Sequence, residues 1–209
     1  MTMLRPCRVR WALGPIGRRS FAKKPAPPVQ IFSASKKVAQ KDAVCLHPDV
    51  AVFDYLRNEV ADRLVDRLLD TQNRKYTVAL DLGCHSGHIQ ASLCKGKGKG
   101  GEGGVEDEGV IGDVEELYNI DSSSGMLERC KKEFPVGSPL RCHYVQGNEE
   151  ELLLTEGVAK GKFDLIMSSL SLHWVNDLPG VLTQVRQVRE RGDRLRDIFP
   201  SFPFARHRK

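Results

Sequence analysis

The chain has 209 residues, enough for one domain with appendages, and its 40% hydrophobic content supports a packed core and excludes a wholly disordered chain. The net charge of +5 is uneven: residues 1–41 hold ten Lys/Arg and no acid, while the remainder carries 22 Lys/Arg against 27 Asp/Glu, a net of −5. Basicity therefore belongs to the N-terminus, and a nucleic-acid-binding body is not implied. The six cysteines (Cys7, Cys45, Cys84, Cys94, Cys130 and Cys142) form no C-x-x-C pair. That speaks against a zinc ribbon and reads as free thiols in a reducing compartment. No apolar run approaches the ~20 residues that a spanning helix needs.

The first stretch is Arg-rich and acid-free, with Trp11, Leu13, Ile16 and Phe21 scattered among the charges. A cationic amphipathic segment of this kind reads as a mitochondrial transit peptide over about residues 1–28, the alternative being a disordered basic tail. Pro-, Lys- and Ala-rich sequence follows, and residues 29–48 read as a linker or extended arm. From Asp49 the pattern predicts a helix. Phe53, Leu56, Val60, Leu64 and Leu68 recur at spacings of three and four, with Glu59, Arg63 and Arg67 on a polar face.

"YTVALDLG" (76–83) predicts a buried strand, and a helix follows from about Ser86 to Cys94. The glycine-rich "KGKGKGGEGGVEDEG" (95–109) buries nothing and reads as a flexible insertion. "LYNID" (117–121) is a second strand. "SSSGMLERCKKEF" is a second helix, capped by Ser122 or Ser123. "LRCHYVQ" (140–146) is a third strand, and "FDLIMSSLSL" (163–172) begins as a fourth. "NDLPGVLTQVRQV" (176–188) opens a helix with Asn176 or Asp177 as cap and Pro179 in its first turn. Strands alternating with helices predict an α/β fold with a parallel sheet, in which ligands bind at the carboxyl ends of the strands. The unusual residues collect there: Asp81–Gly87, Asp121, Asn148, and Ser169–Trp174.

Gly83 and Gly87 let the loop turn tightly and let a ligand approach the backbone. Asp121, closing the second strand, is placed to accept both hydroxyls of a ribose. The competing reading is an ordinary strand–helix turn with a capping acid. Cys84, His85 and His88 invite a metal reading, but on so tight a turn they do not converge tetrahedrally, and no fourth ligand is signalled. A Cys84–His173 nucleophile pair is conceivable, though nothing marks the thiol as activated.

"LDLGCHSG" resembles motif I of the class I S-adenosyl-L-methionine (SAM) methyltransferases, a Rossmann-like fold. The resemblance implies that the first acid and the glycine backbone hold the methionyl part, that the second-strand acid takes the ribose, and that a polar residue after strand three meets the adenine. Asp81, Gly83, Gly87, Asp121 and Asn148 match those positions in turn. "FDYLRNEVADRLVDRLLD" (53–70) and "SSLSLHWVNDLP" (168–179) narrow the resemblance to the arginine-hydroxylase family of mitochondrial complex I (NADH dehydrogenase) assembly factors. That family implies a matrix protein, peripheral on the inner membrane, which hydroxylates an arginine of a core complex I subunit and works beside other assembly factors. His173 and Trp174 then become substrate-facing candidates. No iron-binding facial triad is visible, so a non-catalytic assembly or chaperone module and an ordinary SAM-dependent methyltransferase both stand as alternatives.

Two departures stand out. His85 occupies a family glycine position, tolerable at negative φ and strained at positive φ. Beyond "QVRQV" the family continues into further strands, whereas here a basic tail (191–209) follows, as in a truncated or mis-spliced form. The domain is thus expected over 49–190, with strand four left as a bare apolar edge and the fold weakened.

Overall fold

The computed structural model describes residues 30–71, 75–95, 109–134 and 137–189. The segment expected to be a transit peptide, nearly all of the glycine-rich stretch and the basic tail lie outside these residues.

The segment expected to be a linker is helical. α1 spans Ala34–Cys45, and Ser33 caps it by accepting from the Lys36 N–H. No residue of α1 is buried, so an apolar stripe does not hold it. Polar contacts do: the Ser123 hydroxyl and the Gly125 N–H both donate to Asp42 Oδ1. At the head of this segment, Asn176 Oδ1 accepts from the N–H groups of Ile31 and Phe32, each at 2.8 Å. These contacts tie the segment ahead of residue 49 to the body of the domain.

α2 (Val50–Leu69) starts where the periodicity places it, and Glu59 pairs with Arg63 at 2.7 Å. Its buried side differs from the expected stripe. Asp54, Ala61 and Val65 face inward, with Leu64 and Leu68 packing partly against the core. Phe53 and Leu56 remain 59% and 52% exposed. Asp54, on the inward side, pairs with Arg129 and with Arg57 of its own helix.

β1 (Val78–Leu82), β2 (Glu116–Asp121), β3 (Arg141–Gln146) and β4 (Leu165–Met167) form a parallel sheet in the order β3-β2-β1-β4. Alternation along the strands splits the core in two. Ala79, Leu117, Leu165 and Met167 pack under α2 and α3 (His88–Leu93), against Ala61, Val65, Ile89 and Leu93. Leu80, Leu82, Ile120 and Ile166 pack on the other face with Phe163 and Leu152, and with Val181 and Val188 of α5 (Leu178–Val188). Each fully buried Leu, Ile or Phe contributes about 1.5–3 kcal/mol. α4 (Ser124–Lys132) is capped by Ser123, and α5 by Asp177 with Pro179 in its first turn.

The edge at β4 is not entirely bare. The N–H groups of Lys162 and Phe163 donate to the Val188 carbonyl, and Phe163 pairs with Arg189 in a parallel bridge. The chain leaving α5 therefore returns along the root of β4. Among the described residues, no helix is long and apolar enough to cross a membrane.

Candidate cofactor site

The β1–α3 loop is stapled to the neighbouring strand, because the N–H groups of Gly83 and Cys84 both donate to the Ile120 carbonyl, at 2.8 and 2.9 Å. Gly83 sits at φ +76, and a Cβ there would stand 2.1 Å from Ser171 Oγ. Only glycine meets both demands. Gly87, at φ +87, starts α3, and a Cβ on it would come within 2.5 Å of Cys130 Sγ. His85, between them, also has positive φ (51°). The sequence puts a side chain where the turn asks for none, and the backbone adopts the strained conformation.

Asp81 lies beneath this loop, 1% exposed, with neither carboxylate oxygen hydrogen-bonded. Burial, reinforced by the Asp121 charge, pushes its pKa up to about 8. Asp121, at the end of β2, is fully buried and fully engaged. Lys41 Nζ donates to its two oxygens at 2.9 and 3.0 Å, the His85 N–H to Oδ2 at 3.1 Å, and the Ser123 N–H to Oδ1 at 2.9 Å.

A cleft of about 180 Å³ opens above these groups, with His85, Lys41, Glu149, Ser171 and Trp174 among its walls. Of the strand-end residues singled out in the sequence, His85, Ser171 and Trp174 line it, while Asp81 and Asp121 are buried and do not. His85 is buried, its ring nitrogens have no hydrogen-bond partner, and Nδ1 is 4.0 Å from Asp121 Oδ2. Burial and then the Lys41 ammonium hold its pKa down to about 4, so the ring is neutral.

Asn148 caps the 3₁₀ turn Glu149–Leu154 by accepting from the Glu150 N–H, and it is not a wall of the cleft. Its neighbour Glu149 is a wall, buried and accepting from Ser171 Oγ at 2.7 Å. Trp174 is 44% exposed, meets Phe32 edge-on at 5.4 Å, and accepts from Lys37 at its carbonyl. His173 is exposed against the Trp174 ring and does not line the cleft.

The side chains of the conceivable metal cluster diverge. Cys84 is buried, and burial raises its thiol well above the usual range, with Cys130 adding to the effect. His88 bonds Ser86 Oγ and Asn58 Oδ1, at 3.0 and 2.7 Å, tying α3 to α2. Among the described residues, no group of three His, Cys, Asp or Glu is arranged to hold a metal ion. Lys41 and Glu149 escaped the sequence reading. Lys41 reaches Asp121 across eighty positions, for which no local pattern exists, and Glu149 stands one residue beyond the residue that was read.

Residues 80–195 match the family model described as a methyltransferase domain. The arginine-hydroxylase NDUFAF5, mitochondrial, of Danio rerio is 37% identical over 170 residues, covering 81% of this chain and 44% of that protein. The Homo sapiens protein of the same name is 33% identical over 204 residues, covering 89% and 51%. The chain thus spans about half the length of the curated relatives it matches. In fold, the chain is similar to one in the complex of the Haloferax volcanii Trm112 methyltransferase activator with a methyltransferase. The TM-score there is 0.54 at 14% identity, over 72% of this chain and 56% of that one. Matched across more than half its length by that model, and carrying the parallel sheet and glycine loop described above, the chain belongs to the methyltransferase-domain family.

Proposed function

We propose that this chain binds S-adenosyl-L-methionine at the carboxyl ends of β1 and β2. We further propose that it serves as a mitochondrial complex I assembly factor, modifying an arginine of a core complex I subunit by hydroxylation. That step is a two-electron oxidation whose oxygen atom comes from an external oxidant of the dioxygen class with an external two-electron reductant, and not from the cofactor's methyl group. The Asp81 carboxylate carries the cofactor reading. It is buried with both acceptors open, a placement that costs stability unless a ligand donates to it.

The residues present fit the group. Asp81 accepts from the methionyl ammonium, and the bare Gly83 backbone leaves room for the chain of that amino acid. Gly87 lets α3 begin beside it. Asp121 accepts from the ribose hydroxyls, and the Asn148–Glu149 corner borders the adenine. When bound, the cofactor supplies a methyl group on a positively charged sulfur. At the mouth, Trp174 offers an aromatic face on which a guanidinium stacks, with His173 at its edge.

The name shared by the relatives supports the arginine substrate and the mitochondrial setting. A matrix location, peripheral on the inner membrane, and contact with other assembly factors belong to the same proposal. A second reading, a non-catalytic assembly module, is favoured by the strained His85 within the loop. Complementation of a knockout separates the two. If the enzyme reading holds, the wild-type chain restores arginine hydroxylation and Asp121→Ala does not. If Asp121→Ala restores complex I assembly in full, the module reading replaces it. Transfer of a labelled methyl group to protein or small molecule would identify an ordinary methyltransferase instead.

A further inference from the structure

The Asp121 carboxylate offers about four lone-pair positions, and in this structure four hydrogen bonds fill them. A ribose therefore has nowhere to donate until one donor leaves. Two of the donors are backbone N–H groups that cannot withdraw. That of His85 belongs to the loop stapled to Ile120, and that of Ser123 to the residue capping α4. The remaining donor is Lys41 Nζ, which takes both oxygens from the end of a flexible stem. It already has a second acceptor in reach, since Glu149 Oε1 lies 3.7 Å away.

We infer that Lys41 is a latch on the cofactor site. It holds Asp121 in the free chain, surrenders that carboxylate to the hydroxyls of an incoming nucleoside, and passes to Glu149 as it does so. The inference rests on the nucleoside reading above and adds its regulation.

The exchange has to be concerted. Asp121 is fully buried, and losing the ammonium with nothing in its place strands a buried charge. The hydroxyls must donate as the ammonium leaves. The backbone of α1 need not move. Asp42, the next residue, is bound to Ser123 and Gly125, and Asn176 holds the N-terminal end of the segment. These anchors keep the lysine stem over the cleft while its tip changes partner. The latch lowers the apparent affinity for any ribose-bearing ligand, because the competent state is only a fraction of the free population.

Calorimetric titration of S-adenosylhomocysteine into the wild-type chain, Lys41→Met and the exposed α1 control Lys36→Met tests this. Lys41→Met is expected to bind about tenfold more tightly than wild type, and Lys36→Met to match it. Should Lys41→Met fail to fold by circular dichroism, Lys41→Gln carries the same expectation. Glu149→Gln removes the destination. It is expected to weaken binding more in the wild-type background than in Lys41→Met, a non-additivity that a shared partner produces. Binding that the Lys41 variants leave unchanged or weaken overturns the latch alone. Absence of binding in every folded variant overturns the nucleoside reading and the latch with it.

Discussion

Replacing Asp81 with Asn removes a titratable group whose folded and unfolded states differ sharply. The folded value near 8 stands above the ordinary 3.8. Between those values the native chain binds a proton that the unfolded chain has released. Stability is then complete below about pH 4 and falls as pH rises toward 8, by about 1.4 kcal/mol per pH unit. At pH 7 the accumulated loss is on the order of 4 kcal/mol. Asn keeps the shape and cannot ionise, and like the protonated acid it is a neutral polar group buried without partners, so that penalty is common to both chains. The two stability curves should therefore lie within about 1 kcal/mol of each other near pH 4.5 and diverge as pH rises. Asp81→Asn is expected to be the more stable by on the order of 3–4 kcal/mol at pH 7.

Urea unfolding at half-unit steps from pH 4.5 to 8, without ligand, reads both curves. Parallel curves would refute the reasoning, because they would mean that Asp81 is ionised and partnered in the free chain. The same arithmetic connects the residue to its use. An unfilled buried carboxylate costs stability in the free chain, and a cationic ligand that donates to it recovers that loss.

Gly83→Ala forces an L-residue to φ +76 with its Cβ 2.1 Å from Ser171 Oγ. A loss of about 2–4 kcal/mol is expected in thermal or urea unfolding. Gly137→Ala isolates the backbone part, since its φ is +87 but nothing lies within 4 Å of the added carbon, and it should cost only about 1–2 kcal/mol. Asn176→Ala removes the acceptor for Ile31 and Phe32. Amide exchange at those two residues should accelerate about tenfold while exchange in β1 and β2 is unchanged.

The sheet was legible because buried parallel strands write themselves as short apolar runs, and because loops at their carboxyl ends concentrate Gly, Asp and Ser. "VALDLG" and "LYNID" carry both signs, and β1 and β2 stand where those runs predict. α1 was not legible. "ASKKVAQKDAVC" has no apolar stripe, and what holds it is a set of polar contacts to residues about eighty positions away. The periodicity of α2 identified a helix but misjudged its inner face. It counted Phe53 and Leu56 as core, whereas Asp54 turns inward to meet Arg129. At the candidate site, Gly83, Gly87 and Asp121 were singled out by their places at the carboxyl ends of the first two strands, and Asp81 by the motif resemblance. Asn148 was read for its polarity, yet it serves as a cap, and Glu149 faces the cleft. Cap and wall are adjacent letters, and only the 3₁₀ turn decides between them.

The central claim is that the Asp81–Asp121 floor seats a nucleoside bearing a cationic amino-acid tail. Titration calorimetry of S-adenosyl-L-methionine at pH 7, in two buffers of different ionisation enthalpy, tests it most directly. The account predicts one site per chain and release of close to one proton on binding, as the ligand's ammonium displaces the proton held by Asp81. Asp81→Asn should abolish that release. A folded sample that binds nothing, or binds with no difference between the buffers, would contradict it.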